Sequence, residues 1–145
     1  MGMKMKMTIR EKVITAVNKY VRTHGYEKWM SGTEVRDYVN SCFSDGSPLT
    51  IRNFQPSDYC YNRYNDGLED FAHKDRVLEY GYSDGRFRLL GENYSYNGDV
   101  WHFPSRREKD ANPYIVGRWN DGKFELYSNK VVEEIKEEQL LLLQK

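Results

Sequence analysis

Thr8 and Glu11 head an apolar repeat that stops at Gly25, and together these residues mark both ends of a helix. The Thr8 hydroxyl can cap the first turn, while the Glu11 carboxylate can reach back to the unpaired N–H of the capping residue. Ile9, Val13, Ala16 or Val17, Tyr20 and His24 recur at three- and four-residue spacing and so share a face. Arg10, Lys12, Lys19 and Arg22 fall mostly off that face, where solvation accounts for them. Gly25 accepts a left-handed backbone without a Cβ clash and closes the element.

A second helix is predicted from Ser31 or Thr33 to Cys42, with Val35, Tyr38, Val39 and Cys42 or Phe43 on one side. Ser44-Asp45-Gly46-Ser47-Pro48 ends it with turn chemistry. Pro56 then suits the start of a third helix, with Asp58 in its first turn and Gly67 as its stop. Tyr59, Tyr61 and Tyr64 alternate there with Asn62, Arg63 and Asn65. Asn and Arg can bond base edges bidentately, and Ser and Tyr hydroxyls suit phosphate. The same composition also fits a helix whose rings pack inward and whose Asn side chains cap the next turn.

Val77 to Tyr82 has strand composition, Ser83-Asp84-Gly85 signals a hairpin, and Arg86-Phe87-Arg88-Leu89 alternates basic with apolar. Three helices followed by a hairpin is the order of a winged helix. Arg86 and Arg88 would then share the outer face of the wing, as phosphate contacts or as ordinary solvated positions.

Residues 8–90 resemble a winged helix-turn-helix domain. The run Pro56-Ser57-Asp58-Tyr59-Cys60-Tyr61-Asn62-Arg63, followed by Asn65 and Gly67, resembles a small wing-bearing module of bacterial and phage proteins, some linked to restriction. The resemblance implies association with duplex DNA, in a regulatory or restriction-linked setting. The chain departs from it in charge, because Asp58, Asp66, Glu69 and Asp70 surround the third element and oppose phosphate binding.

Tyr94 to Phe103 places the turn signal Asn97-Gly98 between two aromatic segments. A basic loop with Arg106, Arg107 and Lys109 follows, either solvated or against a phosphate backbone. Tyr114 to Trp119 and Lys123 to Tyr127 flank Asn120-Asp121-Gly122 as a second hairpin, which could continue the sheet begun by the wing. A terminal amphipathic helix from Val131 to Leu143 places Val131, Val132, Ile135, Gln139 and Leu142 near one face and glutamates opposite. Four consecutive leucines exceed one apolar stripe, so pairing with a second copy is expected over docking on the chain's own sheet.

Charge and composition narrow the function classes. Twenty-two basic residues balance twenty-two acidic ones, so any anionic partner must meet a local patch. Residues 1–24 carry six cations and one anion, whereas 25–75 carry five and nine. Only 39% of the chain is hydrophobic while 14% is aromatic, so the core should be built from rings, Trp29, Trp101 and Trp119 foremost. The longest aliphatic run, Leu140–Leu143, is far short of the roughly 20 residues of a membrane span. Met1 to Met7 is charged without an apolar core and is unlike a signal peptide; it reads as a disordered start or an alternative initiation region. Cys42 and Cys60 read as thiols in a reducing compartment, and a cytoplasmic location is expected.

The sequence offers no metal-ligand spacing, glycine-rich phosphate loop or nucleophile elbow. His24 and His73 are expected to pack or cap. The expectation is therefore an α+β chain without cofactor: a disordered start (1–7), a winged helix (8–90), a second hairpin unit (91–128) and a C-terminal helix (129–145). Its first-ranked function is noncatalytic DNA binding, with Tyr59, Asn62, Arg63 and Asn65 on bases and Arg52, Ser57, Arg86 and Arg88 on phosphates. A protein-interaction adaptor using the Tyr-rich and C-terminal helices is the alternative. A metal-dependent nuclease with Asp66, Glu69, Asp70 and Lys74 ranks third.

Overall fold

A computed structural model describes residues 7–43, 54–65, 76–103 and 112–143. Helix α1 (Ile9–His24) begins as its capping box requires: Glu11 N–H donates to Thr8 Oγ1 at 3.1 Å, and Thr8 N–H donates to Glu11 Oε1 at 3.2 Å. It ends at Gly25, where φ is +75°. After the short strand β1 (Trp29–Met30), Ser31 and Glu34 form the same reciprocal cap on α2 (Gly32–Cys42). Val13, Ala16, Val17 and Tyr20 of α1 meet Val35 and Val39 of α2 in a first core.

The expected hairpin follows as β3 (Leu78–Tyr80) and β4 (Phe87–Leu89), and β1 pairs with β4 to give the antiparallel order β1-β4-β3. Leu78, Phe87 and Leu89 close the first core beneath the helices. The second sheet has the order β2-β5-β6-β7, with β2 at Arg63–Asn65, β5 at Gly98–Phe103, β6 at Tyr114–Asn120 and β7 at Lys123–Leu126. Its core is ring-rich: Tyr61, Tyr96 and Trp119 pack with Leu90, Val100 and Val116. Trp119 is buried as expected, but Trp29 and Trp101 are only half-buried. The molecule is mixed α+β.

Asp121 and Gly122 make the β6–β7 turn with φ of +48° and +81°, the left-handed pair that a two-residue hairpin needs. Asn97 does not turn one aromatic strand into another. Its side chain accepts from Asp121 N–H at 2.9 Å and braces that turn. Helix α3 (Asn129–Leu143) docks on its own sheet at β6, where Gln139 Nε2 donates to the Pro113 carbonyl at 3.1 Å and Lys136 Nζ lies 4.0 Å from the Tyr114 ring centre. Among the described residues, no helix is long and apolar enough to cross a membrane.

The third helix is where the structure corrects the sequence. Pro56 does begin a helical turn, but it is a single 3-10 turn, Pro56–Tyr59, and Cys60 is extended at φ −90°, ψ 140°. From there the chain runs out as strand. Cys60 enters the first core and Tyr61 the second, an alternation of sides that only an extended backbone provides. The backbone is satisfied across strands: Val77 N–H donates to Tyr59 O, Tyr61 N–H to Leu78 O, and Trp101 N–H to Asn62 O. β2 then pairs in parallel with β5, Arg63 opposite Trp101 and Asn65 opposite Phe103. One strip of chain thus edges both sheets, and the second sheet draws a strand from the first half of the sequence. Expectations for residues 1–6, the 106–109 loop and Gly67 lie outside the described residues.

Candidate functional site

The residues expected to read bases are dispersed by this strip. Asn62 is 7% exposed. Its Nδ2 donates to the Tyr80 carbonyl at 2.8 Å and its Oδ1 accepts from the Tyr80 N–H at 2.8 Å. The carboxamide acts as one more rung on the edge of β3, and its own carbonyl accepts from the Tyr82 hydroxyl at 2.5 Å. Asn62 therefore joins the two sheets and is withdrawn from any ligand. This corrects its assignment as a base contact.

Arg63 is half-buried, with its guanidinium 3.9 Å from the Phe103 ring centre and 4.7 Å from that of Tyr80. The cation is held within the fold by these two rings, which stand nearly perpendicular to each other at 83°. Asn65 lies on β2, which is a strand, so the helical face it was to share with Asn62 and Arg63 does not exist. Ser57 and Tyr59 sit on the 3-10 turn, half-buried, and the Tyr59 ring is edge-on to Phe54 at 5.9 Å. Arg52 lies outside the described residues, as do Asp66, Glu69, Asp70, His73 and Lys74.

The two wing arginines part company. Arg86 is exposed beside the hairpin turn. It acts with Lys28 to lower the Glu34 pKa, although the leading cause there is the Ser31 backbone hydrogen bond. Arg88 is turned into the fold: Nη2 lies 2.6 Å from Glu79 Oε1, and the guanidinium is 5.1 Å from the Trp29 ring centre. The other Glu79 oxygen accepts from the Tyr96 hydroxyl at 2.8 Å, linking the first sheet to the second core. Sequence reading missed Glu79. Its signal is a carboxylate inside an apolar strand, in register with a basic residue across the hairpin.

Burial shapes the titration of the inner tyrosines. Tyr61 donates to the Gly91 carbonyl at 2.7 Å, and desolvation pushes its pKa up to about 12. Tyr96 is pushed further in the same direction by burial and by its bond to Glu79. Burial likewise raises the Cys60 thiol, so this sulfur is an inert core group, and Cys42 is free and half-buried. Among the described residues, no cluster of three or more His, Cys, Asp or Glu side chains could hold a metal ion. His24 packs against Tyr20 at 4.6 Å.

What the structure leaves outward is the end of α3. Val132, Ile135 and Gln139 are half-buried, whereas Leu140, Leu141 and Leu142 are 54%, 62% and 71% exposed. At about 100° per residue these leucines point to three different sides of the helix. Glu133, Glu134, Glu137 and Glu138, all exposed, line one side of the turns just before them. Four leucines against one stripe was the sequence signal for this surface. It is the best-formed candidate site among the described residues.

Comparison with known proteins supplies relatives without an assigned activity. The uncharacterized protein YnaC of Bacillus subtilis (strain 168) is 38% identical over 66 residues, a match that takes in 46% of this chain and 22% of YnaC. No solved structure matches the chain. Residues 8–126 match the family described as a domain of unknown function, DUF7225, so α3 lies beyond the matched region and the chain belongs to the DUF7225 family.

Proposed function

We propose that this chain is a noncatalytic protein-interaction module that docks through the end of α3. One observation carries the reading: the last turn of a surface helix presents leucines on several sides to solvent. A helix apolar all round is ordinarily an enclosed one, and contiguous exposed apolar surface marks contact sites. Lys136 and Gln139 hold α3 against Tyr114 and Pro113 at the start of β6, and Leu140–Leu142 follow directly as the exposed anchor.

The test is a Leu140→Gln/Leu141→Gln/Leu142→Gln variant, compared with the wild type by sedimentation velocity and by binding of an environment-sensitive apolar dye. The wild type is expected to bind dye and to self-associate weakly, and the variant to lose both with an unchanged circular dichroism spectrum. Equal behaviour of the two chains would remove the anchor.

Duplex-DNA binding by a winged helix is the second reading, in a regulatory or restriction-linked setting. It is supported by the β3–β4 hairpin packed beneath α1 and α2, and by Arg86, exposed at its turn, which with exposed Lys28 acts on Glu34. Such binding would rest on phosphates, so it should weaken steeply with salt and fall on Arg86→Ala. Indifference to duplex at low salt removes this reading.

A further inference from the structure

We infer that the partner taken by the α3 anchor is an amphipathic helix whose apolar stripe is flanked by Lys and Arg; the inference rests on the anchor reading above. The argument is one of charge around the leucines. Exposed Glu133, Glu134, Glu137 and Glu138 share one side of the helix and form an acidic face on the turns preceding Leu140–Leu142. Of the two lysines on α3, Lys136 is committed to the Tyr114 ring and lies 3.5 Å from Glu133, which leaves Lys130 at the far end. A surface entering this site must cover leucine and meet carboxylates at the rim. An apolar stripe with basic flanks does both, and an acidic flank is repelled.

A second copy of the chain fits less well. Two α3 ends packed side by side through their leucines would bring two acidic faces close together. Among the described residues the exposed cations are scattered. Arg10, Lys19 and Arg22 lie on α1, whose apolar Val13, Ala16, Val17 and Tyr20 are spent in the first core. Lys28, Arg86, Arg118, Lys123 and Lys130 are spread over other elements. An open cleft of about 510 Å³ borders the start of α1, lined by Ile9, Phe54 and Tyr59 among others. Arg10 and Asp58 both line it, so it offers no net positive frame for the acidic face.

The experiment titrates the full chain into two fluorescein-labelled peptides, one an amphipathic helix of Leu and Lys, the other identical with Glu in place of Lys. The Leu/Lys peptide is expected to bind and the Leu/Glu peptide to fail. Binding should weaken about tenfold in the triple Leu→Gln variant and about tenfold in Glu137→Lys/Glu138→Lys. The charge-reversed variant should now accept the Leu/Glu peptide. If both peptides bind alike and only the leucine variant loses them, the basic partner is wrong while the anchor stands. If the leucine variant binds as well as the wild type, the anchor itself is wrong. Binding of neither peptide, or a wild-type dimer that the Leu/Lys peptide does not dissociate, overturns the inference in favour of another partner or a second copy.

Discussion

The Asn62 carboxamide grips the Tyr80 main chain at both ends, donating to its carbonyl and accepting from its N–H, each at 2.8 Å. A side chain thereby completes the edge of β3 opposite β4, at a position that no described strand pairs on that side. The two sheets are fastened at that point.

Asn62→Ala should therefore act as a core lesion. It strands a main-chain donor and acceptor, and a buried unsatisfied group costs about 1–3 kcal/mol, so a loss of about 2–4 kcal/mol is expected. Urea denaturation reads this directly. A change within about 0.5 kcal/mol, as for an ordinary surface position, would show that the grip contributes nothing.

Arg63→Ala should cost about 1–2 kcal/mol by removing a cation seated against Phe103 and Tyr80. Arg63→Lys should recover only part of this, because a compact ammonium cannot reach both rings as the broader guanidinium does. Full recovery by Lys in the same denaturation assay would show that charge alone matters.

The buried tyrosines fix the alkaline limit. The folded pKa of Tyr61 is raised from 10.0 to about 12, so the folded state holds its phenol proton more tightly than the unfolded chain does. Its contribution is fully present below pH 10 and is lost as pH rises toward 12, because the unfolded chain ionises first. Tyr96 acts with the same sign. Stability measured by denaturant should fall across that window, by about 1.4 kcal/mol per pH unit for each tyrosine concerned. The slope should be shallower in Tyr61→Phe, and an unchanged slope would count against the assignment.

Gly117→Ala should disrupt the β6–β7 pair. A Cβ there would stand 2.5 Å from the Glu125 carbonyl oxygen and 2.8 Å from Phe124 Cε1, so backbone and ring would both have to move. A loss of about 3 kcal/mol is expected from overpacking. A thermal melt unchanged from wild type would show that the strand pair yields easily.

How much of this was legible in the sequence depends on how far each residue's partners lie along the chain. The capping boxes at Thr8–Glu11 and Ser31–Glu34 and the Asp121-Gly122 turn are set by neighbours within a few positions, and each appears where its local chemistry requires. The segment from Cys60 to Asn65 is set from a distance. Asn62 finds its partner eighteen residues on, and β2 pairs with a strand beyond residue 98. Asn and Tyr are middling helix formers whose conformation follows tertiary pairing, so the Pro56 start signal persisted for only one 3-10 turn. The same distance hid the roles of Asn62 and Arg63, whose polar groups read as displayed until their partners were in place. The excess of leucine at the end of α3 is local, and it was visible from the outset.

The strip that leaves one lobe to edge the other has a consequence for how the molecule comes apart. A fragment cut after residue 90 would take β2 with it and leave β5 without that neighbour, while its own Tyr61 would lose the surround of Tyr96 and Trp119. Neither half owns a complete set of partners, so heating should produce one cooperative transition rather than two.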